Sequence, residues 1–206
     1  MRRAVWLSLM AIPVVAATLL AQFDGGRDNL GPGALLVSRP KLEDPNFIHT
    51  VVVLVQYSEE KGAFGLIVNR RTAATLSKVL PDLTTGGTHL VYEGGPVQTD
   101  LMLALFRTRT KPDDGEHVVA DIYETASSDA IGKIAGAATP QRFHTFLGYC
   151  GWGVGQLENE VQAGAWSVLP PDPSPLFDDD PDSLWQRLDR KAQMRIAQLL
   201  PNELSN

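Results

Sequence analysis

The sequence predicts a mixed α/β fold in which strands outnumber helices. Short apolar runs of strand length recur along most of the chain, and stretches with helical spacing of apolar residues are fewer. Strands and helices do not alternate strictly, which argues against a doubly wound parallel sheet. The length of 206 residues fits one domain with additional terminal segments.

The first 21 residues differ in character from the rest of the chain. Arg2 and Arg3 precede a run without charge from Ala4 to Ala21, and small residues lie near its end. This pattern is typical of a secretory signal, and the run is also just long enough for a membrane anchor. In both cases the positive-inside rule predicts a domain outside the cytoplasm. A buried N-terminal helix, or a wrongly assigned start codon, would explain the same pattern.

After this segment, the Gly-rich polar stretch 22–33 is predicted to be a linker. The folded domain is predicted to span 34–190, with a helical tail over 191–206. Apolar or β-branched runs predict strands at 34–38, 51–57, 64–68, 90–93, 101–107, 118–123, 143–149 and 166–169. Caps and loosely helical spacing predict helices at 76–80, 128–135, 156–163 and 183–200.

Details of these segments predict how the elements are buried and joined. The run 51–57 shows no polar alternation, so that strand is expected to be buried on both faces. Residues 58–62 are few enough to join it to the next strand as a hairpin. Pro81 ends the first helix, and the prolines of 170–175 interrupt regular structure. The acidic residues at 178–180 are expected to form a solvated loop; capping of the next helix together with Ser183 is an alternative, and the EF-hand spacing of a real Ca²⁺ site is absent.

Charge and composition exclude several classes of function. The net charge of −6 argues against sequence-independent nucleic-acid binding, which needs Lys and Arg to displace counterions from phosphates. No Gly-rich phosphate-binding motif follows a predicted strand, and the four scattered His residues do not have metal-ligand spacing. We therefore expect no cofactor, no metal and no nucleic-acid partner. A membrane would be contacted only through residues 1–21, if they are retained.

Residues 148–160, GYCGWGVGQLENE, are the most distinctive stretch and are called the signature segment below. Their glycines indicate unusual backbone conformations or a close approach, at a strand that feeds into a helix near Gln156. One interpretation is a pocket for an anion or small ligand, with Gln156 as a polar contact and Trp152 or Trp166 as a wall. The other is that the glycines serve the turn, both tryptophans fill the core, and Glu158 complements the helix dipole.

The two carboxylates of the signature segment are unlike a catalytic pair. Glu158 and Glu160 are two residues apart in a predicted helix and therefore point to different faces, so Glu160 is spaced to meet Gln156 instead. A carboxylate partner for either has to come from elsewhere in the chain. Glu93, beside Gly94 and Gly95, is one candidate.

The single cysteine does not form a local nucleophile–base pair. His144 and Cys150 are six residues apart, or roughly 20 Å along a strand at about 3.3 Å per residue. One cysteine also cannot form an intramolecular disulfide. Cys150 is therefore expected to behave as a small buried apolar side chain.

Five segments, taken together and in order, resemble the YqgE/AlgH family of bacterial proteins. They are ALLVSRPKLEDPNFIHTVVVLVQY, GAFGLIVNR, LVYEGGPV, GYCGWGVGQLENEVQAGAW and LFDDDPDSLWQRL, which together cover roughly residues 33–190. The resemblance implies a complex α/β fold with a curved, branching sheet that forms a barrel-like structure with flanking helices. It implies no established biochemical activity. Some members are linked to the regulation of exopolysaccharide (alginate) production, and some carry the label of transcriptional regulator.

The present chain departs from the family pattern in two respects. Members are usually cytoplasmic and lack a leader, whereas this chain begins with the apolar segment 1–21. Cys150 lies where the family's signature often has alanine, which argues against catalysis by this thiol. No helix-turn-helix pattern is present in the acidic sequence, so the transcriptional label has no support in its residues.

Three functional hypotheses follow. The first is a non-enzymatic regulatory protein that binds a small molecule or a protein through a surface built from 65–70, 93–97 and 151–160. The second is an unrecognised enzyme with a pocket around Asn69, Glu93, Gln156 and Glu158. The third is that the signature segment serves folding alone and a sheet edge binds the partner. The ligand-binding candidates are Asn69, Arg70, Glu93, Gly94, Gly95, Trp152, Gln156 and Glu158, and no catalytic residue is identified.

Overall fold

A computed structural model describes residues 27–81, 87–137 and 142–199. The predicted export or anchor segment 1–21, the first part of the linker and residues 200–206 lie outside these ranges. Within them, no helix combines the length and the apolar character that crossing a membrane requires.

A sheet of ten strands dominates the described residues. The strands are β1 Leu35–Ser38, β2 Val51–Ser58, β3 Gly62–Ile67, β4 Arg71–Thr75, β5 Leu90–Glu93, β6 Val97–Arg107, β7 Glu116–Val119, β8 Ile122–Thr125, β9 Phe143–Trp152 and β10 Trp166–Leu169. Eight of them follow the order β10-β1-β2-β3-β9-β6-β8-β7, and every pairing on this path is antiparallel. The predicted mixed α/β class is confirmed.

The helices in the described part of the chain number four. They are α1 Leu76–Val79, α2 Ser128–Ala135, α3 Gln156–Gln162 and α4 Pro181–Leu199. Ser127 caps α2, one residue before the predicted cap, because its side chain accepts a hydrogen bond from the Ala130 amide at 3.3 Å. Before α4, Asp180 accepts a hydrogen bond from Ser183 at 2.5 Å. This helix runs without a break through residue 191, and Ala192 is buried in the core.

The sheet branches at β9. On one side β9 pairs with β6, and on the other it pairs first with β5, in parallel, and then with β3, antiparallel. Gly148 lies between these two segments with a φ of +71°. Around it the alternation of side chains shifts by one residue, since Phe146 and Tyr149 both contact the core cluster that includes α4. A positive φ is therefore required at the branch, and glycine adopts it without a steric cost.

The sheet is not closed into a barrel, contrary to the barrel-like structure that the family resemblance implied. In the described ranges its end strands, β10 and β7, each pair with a single neighbour. The sheet curves enough to bring β7 near β2, but no ladder of hydrogen bonds joins these two strands. Side chains of α4 fill the core on this face instead, among them Leu184 and Leu188.

Core side chains cover both faces of the central strands. In β2, Val51, Val53 and Val55 contribute to the cluster with α4, whereas Val52 and Leu54 contribute to a second cluster with α3. The prediction that this strand is buried on both faces is thus confirmed. A third cluster packs between the sheet and the helices α1 and α2; its buried members are Leu76, Val91, Phe106, Ala135 and Phe143.

The structure differs from the predicted elements in three places. The strand predicted at 118–123 is a hairpin of β7 and β8 that turns at Ala120, whose φ is +53°. β4 was not predicted, because its sequence RTAAT has no apolar run and the strand pairs only with β5. β9 continues to Trp152, beyond the predicted end at 149, so the first part of the signature segment is strand rather than turn.

Candidate functional site

The signature segment forms the end of β9, a short turn and the start of α3. The turn is closed by two hydrogen bonds, since the Gln156 amide donates to the Gly153 carbonyl and the Gly153 amide donates to Gln156 Oε1, each at 3.1 Å. Gly155 precedes the helix with a φ of +72°. Gln156 therefore holds the turn in the place of a side-chain N-cap.

Glu160 is the centre of a hydrogen-bond network in the signature segment. Its Oε2 accepts from the indole N–H of Trp152 at 2.9 Å and from that of Trp166 at 2.8 Å. Its Oε1 accepts from the Gln156 side-chain amide at 2.9 Å. The predicted pairing of Glu160 with Gln156 is confirmed. Hydrogen bonds to an ionised carboxylate are the strong ones, so this network ties together β9, α3 and β10.

The two tryptophans belong to the core and do not form the wall of an open pocket. Trp152 and Trp166 are 5% and 2% exposed. Their ring centroids are 6.1 Å apart in an edge-to-face arrangement, and Phe47 packs against both, at 6.4 and 5.4 Å. Of the two interpretations of the signature segment, the structural one holds for Trp152 and Trp166.

Glu158 points to a different face of α3 from Glu160, as the helical spacing predicted. Its Oε1 accepts a hydrogen bond of 2.7 Å from the Tyr57 hydroxyl, at the end of β2. Burial, followed by this hydrogen bond and the charge of Glu158, raises the pKa of Tyr57 to about 12. The phenol is therefore protonated at neutral pH and acts as a donor to Glu158.

Tyr57 and Glu158 line an open cleft of about 630 Å³, called the Tyr57 cleft below. Its other lining residues come from the turn before β1, from the β2–β3 hairpin and from the start of α3: Arg27, Asp28, Leu30, Glu59, Val154, Gly155 and Asn159. Val154, in the signature turn, is 65% exposed. Three carboxylates and one guanidinium thus surround a phenol and an apolar rim.

Gly94 and Gly95 are required where two backbones cross. A side chain on Gly94 would overlap the carbonyl oxygen of Gly148, and one on Gly95 would overlap the backbone of Tyr149. Gly95 has a φ of +153°, and the Gly94 amide donates to the Leu147 carbonyl at 2.8 Å. The motif EGG and the signature segment therefore fit each other at the branch of the sheet, where both glycines are needed for the close approach.

Asn69 and Arg70 hold the loop that precedes β2. Asn69 Oδ1 accepts from the Val51 amide at 2.8 Å, and its Nδ2 donates to the His49 carbonyl at 2.9 Å. Arg70 forms an ion pair of 2.9 Å with Glu93 and donates to the Pro45 and Ile48 carbonyls at 3.4 and 3.3 Å. Both side chains satisfy backbone groups of the loop, which gives them a structural role.

The predicted site residues lie in two groups and do not surround one pocket. Asn69, Arg70 and Glu93 lie near the C-terminal end of β3, beyond Ile67, whose amide donates to the Gly94 carbonyl at 2.9 Å. Trp152, at the start of the other group, pairs with Ala63 near the N-terminal end of β3. The six residues from Ala63 to Asn69 span roughly 20 Å at about 3.3 Å per residue. Gln156 and Glu158 therefore do not converge with Asn69 and Glu93.

Cys150 and His144 are also separated along one strand. Cys150 is buried, its thiol donates to the Gly94 carbonyl at 3.4 Å, and burial raises its pKa, which disfavours the thiolate. His144 stacks on Tyr92 with the ring centroids 4.4 Å apart, and burial lowers its pKa to about 4. In the part of the chain that the structure describes, no three His, Cys, Asp or Glu side chains are grouped for a metal ion.

Sequence reasoning missed Tyr57, and also the cleft residues Arg27, Asp28, Leu30 and Glu59. Tyr57 ends a strand predicted as wholly apolar, and its partner Glu158 lies 101 residues further along the chain. The polar Gln56–Tyr57 step at the end of the apolar run is the only local signal, and it also suits an ordinary strand end.

Comparison with known proteins identifies the family of this chain. A family model described as AlgH-like matches residues 35–197. A UPF0301 protein of Idiomarina loihiensis is 32% identical over 82% of this chain and 94% of its own length. The solution structure of AlgH from Pseudomonas aeruginosa, at 32% identity, has a TM-score of 0.66 and covers 83% of this chain and 94% of that one.

A crystal structure of a Corynebacterium diphtheriae protein shows the same fold at greater sequence distance. Its TM-score is 0.65 at 21% identity, and the match covers 85% of this chain and 90% of that one. The segments that carried the resemblance in the sequence all lie within or at the edge of the matched range 35–197. This chain belongs to the AlgH-like family.

Proposed function

We propose that this protein is a non-enzymatic regulatory protein that binds its ligand or partner at the Tyr57 cleft. The observation that carries the proposal is the different environment of the two carboxylates of the signature segment. Both oxygens of Glu160 accept hydrogen bonds from internal donors, whereas Glu158 faces an open cleft beside Tyr57 and the exposed Val154.

The remaining polar groups of the signature segment and its neighbours support binding over catalysis. Gln156 is engaged at both ends, with Gly153 and Glu160. Asn69 is engaged with backbone groups, and burial makes the Cys150 thiol a poor nucleophile. The pocket of the enzyme hypothesis would need Asn69 and Glu158 at one place, and they lie near opposite ends of β3.

The chemistry of the Tyr57 cleft favours a ligand group that is positively charged and partly apolar. Among the described residues that line the cleft, the carboxylates Asp28, Glu59 and Glu158 outnumber the cations, of which Arg27 is the one present. Leu30 and Val154 offer apolar contact beside them. A lysine or arginine side chain of a partner protein, or a small organic amine, meets these requirements. The protonated Tyr57 hydroxyl keeps the Glu158 carboxylate oriented toward such a group.

Affinity capture with the full chain tests this proposal. Wild-type protein and Val154→Lys are used as baits, and bound proteins and small molecules are identified by mass spectrometry. Val154 is 65% exposed, so the substitution leaves the core intact and places a positive charge in the acidic cleft. Met194, which is 56% exposed on α4 and does not line the cleft, provides the matched control Met194→Lys.

The expected result is a ligand that is recovered with wild type and Met194→Lys and lost with Val154→Lys. Glu158→Gln removes one negative charge and is expected to weaken binding of the same ligand. Equal recovery by all four baits would exclude the Tyr57 cleft as the binding site. The regulatory part of the proposal, including the link to exopolysaccharide production, is read out as exopolysaccharide yield in a strain carrying Val154→Lys.

We also propose that residues 1–21 export or anchor the domain outside the cytoplasm. Support comes from the two N-terminal arginines and the uncharged run that follows them. N-terminal sequencing of the protein from cell fractions tests this directly. A mature N-terminus near residue 18 or 22 in an extracytoplasmic fraction indicates cleavage, and an intact terminus in the membrane fraction indicates anchoring. An intact terminus in the cytoplasmic fraction would refute the proposal.

A further inference from the structure

Glu124, in the last hairpin of the sheet, is a buried carboxylate without a full set of partners. It is 6% exposed, and its Oε1 has no hydrogen-bond partner among the described residues. On one side it lies opposite Leu105 of β6, and on the other it lies opposite Glu116 of β7. An ionised carboxylate at such a position loses its hydration and gains no compensating donor, and a like charge directly across the strands adds repulsion.

The hairpin that carries Glu124 forms one free end of the sheet. β7 is the terminal strand, and its Val118 is buried in the core cluster shared with β2 and α4. Val119 packs against Gly33, just before β1, where an added side chain would be 2.6 Å from its Cβ. Apolar contacts thus hold the hairpin against the β1–β2 side of the curved sheet. Within the described residues, no ladder of backbone hydrogen bonds joins β7 to β2.

We propose that Glu124 is a proton-controlled latch that keeps the β7–β8 hairpin docked when its carboxyl group is neutral and loosens the hairpin when it is ionised. The neutral acid is compatible with its burial opposite the apolar Leu105, whereas the carboxylate is not. Loosening frees the Val119 contact with Gly33 and exposes the edge of the sheet at β7. The device is distinct from the Tyr57 cleft and acts at another part of the fold.

The charges around Glu124 place its titration in the physiological range. Burial, followed by the charge of Glu116, raises the pKa of Glu124 to about 7. On the same face of β6, Arg107 is engaged with Asp121 of the β7–β8 turn at 3.3 Å. His144 lies one strand further away, opposite Leu105 on β9. Glu116 is therefore the charged residue that lies directly across from Glu124 on the neighbouring strands, and it opposes ionisation.

The sign of the effect follows from linkage. A carboxyl group whose pKa is raised on folding favours the docked state at low pH and loses this contribution as pH rises through its folded value. For a rise of the pKa from the ordinary value of 4.5 to about 7, the opening equilibrium of the hairpin is expected to increase about tenfold between pH 6 and pH 8.

Hydrogen exchange of the full chain, expressed as protection factors for the amides of 116–125, tests the latch. In wild type, protection of this hairpin is expected to fall about tenfold from pH 6 to pH 8, while the amides of β2 and β3 remain unchanged. Glu124→Gln keeps the shape of the side chain and cannot ionise, so its hairpin is expected to be equally protected at both pH values. Glu116→Gln removes the repulsion and so lowers the pKa of Glu124, and the fall in protection between pH 6 and pH 8 is therefore expected to be smaller than in wild type.

The carboxyl ¹³C chemical shift of Glu124 provides a second readout that does not depend on the variants folding well. Its midpoint is expected near pH 7 in wild type. The latch is overturned if hairpin protection does not change with pH in wild type, or if Glu124→Gln shows the same tenfold fall as wild type.

Discussion

Trp152 and Trp166 donate their indole N–H groups to the same oxygen of Glu160, at 2.9 and 2.8 Å. Trp152 and Trp166 lie on β9 and β10, which are not neighbours in the sheet, and Glu160 lies on α3, so a single carboxylate links two separated strands to a helix. Much of the sequence pattern GYCGWGVGQLENE therefore reflects the needs of this network and of the turn that precedes α3.

Replacing Glu160 is expected to destabilise the fold more than replacing Glu158. In Glu160→Gln, the amide offers one acceptor oxygen where two oxygens now serve three donors, and its NH₂ group faces other N–H groups. Leaving buried donors unpaired costs about 2 kcal/mol or more of the free energy of unfolding. Glu158→Gln is the matched control, because Glu158 bonds only Tyr57 at an open cleft, and its cost is expected to be under about 0.5 kcal/mol.

Urea unfolding followed by tryptophan fluorescence measures both variants. Two of the reporting indoles are the donors to Glu160, so Glu160→Gln should also change the emission of the folded state. Similar unfolding free energies for the two variants would contradict the central role of Glu160.

Gly148→Ala is expected to cost far more stability than Gly164→Ala. Both glycines have left-handed backbone, with φ of +71° and +79°. A Cβ at Gly164 meets nothing within 4 Å, whereas one at Gly148 would overlap the Gly95 carbonyl oxygen. The left-handed conformation alone costs about 1–2 kcal/mol for alanine. For Gly148→Ala we expect a loss at least about 2 kcal/mol greater, because two backbones must also separate.

The difference between the urea unfolding midpoints of the two variants measures the cost of separating β9 from the segment 94–95. If Gly148→Ala is too unstable to purify while Gly164→Ala folds, the expectation is met. Equal losses in the two variants would show that the close approach of Gly148 and Gly95 is unimportant.

The strands that the sequence revealed are rich in apolar or β-branched residues. β2 and β10 are buried along most of their length, so hydrophobicity marks them without reference to the rest of the fold. β4 lacks this mark because it is a half-exposed strand paired only with β5. The β7–β8 turn was missed because Ala120, rather than glycine or asparagine, adopts the positive φ there.

Only those contacts of the candidate site that lie within α3 could be predicted from the sequence. The helical spacing of Gln156 and Glu160 predicted their contact, and the two-residue spacing of Glu158 and Glu160 predicted their separation. The donors Trp166 and Tyr57 could not be assigned, because their partnerships depend on how β10 and β2 pack against α3. The sequence motifs were therefore interpreted as one surface, whereas in the fold they divide into two groups near opposite ends of β3.

The contribution of His144 to the free energy of unfolding is expected to be lost as pH decreases from 6.5 to 4. Burial lowers the pKa of this imidazole to about 4, so the folded state holds fewer protons than the unfolded chain in this range. The contribution is fully present above pH 6.5 and amounts to on the order of 3 kcal/mol, lost as pH falls through the folded value.

His144→Phe tests this assignment, since it keeps a ring between Tyr92 and Phe177 and removes the titrating group. The difference in unfolding free energy between wild type and variant at pH 7 measures the change in packing. At pH 4.5 the unfolding free energy of the variant is expected to be higher, relative to that of wild type, than it is at pH 7. Parallel pH profiles for the two proteins would show that another group causes the loss at low pH.

Arg70→Lys is expected to loosen the loop 45–49 while leaving the fold intact. The guanidinium reaches Glu93 and the carbonyls of Pro45 and Ile48 at once, and a single ammonium cannot reproduce this fork. Arg71→Lys is the control on the neighbouring residue, because Arg71 makes one ion pair of 3.6 Å with the exposed Asp182. Hydrogen exchange of the amides of 46–49 should accelerate several-fold in Arg70→Lys alone, with a change of under about 1 kcal/mol in global stability. Equal acceleration in both variants, or in neither, would show that Arg70 does not hold the loop.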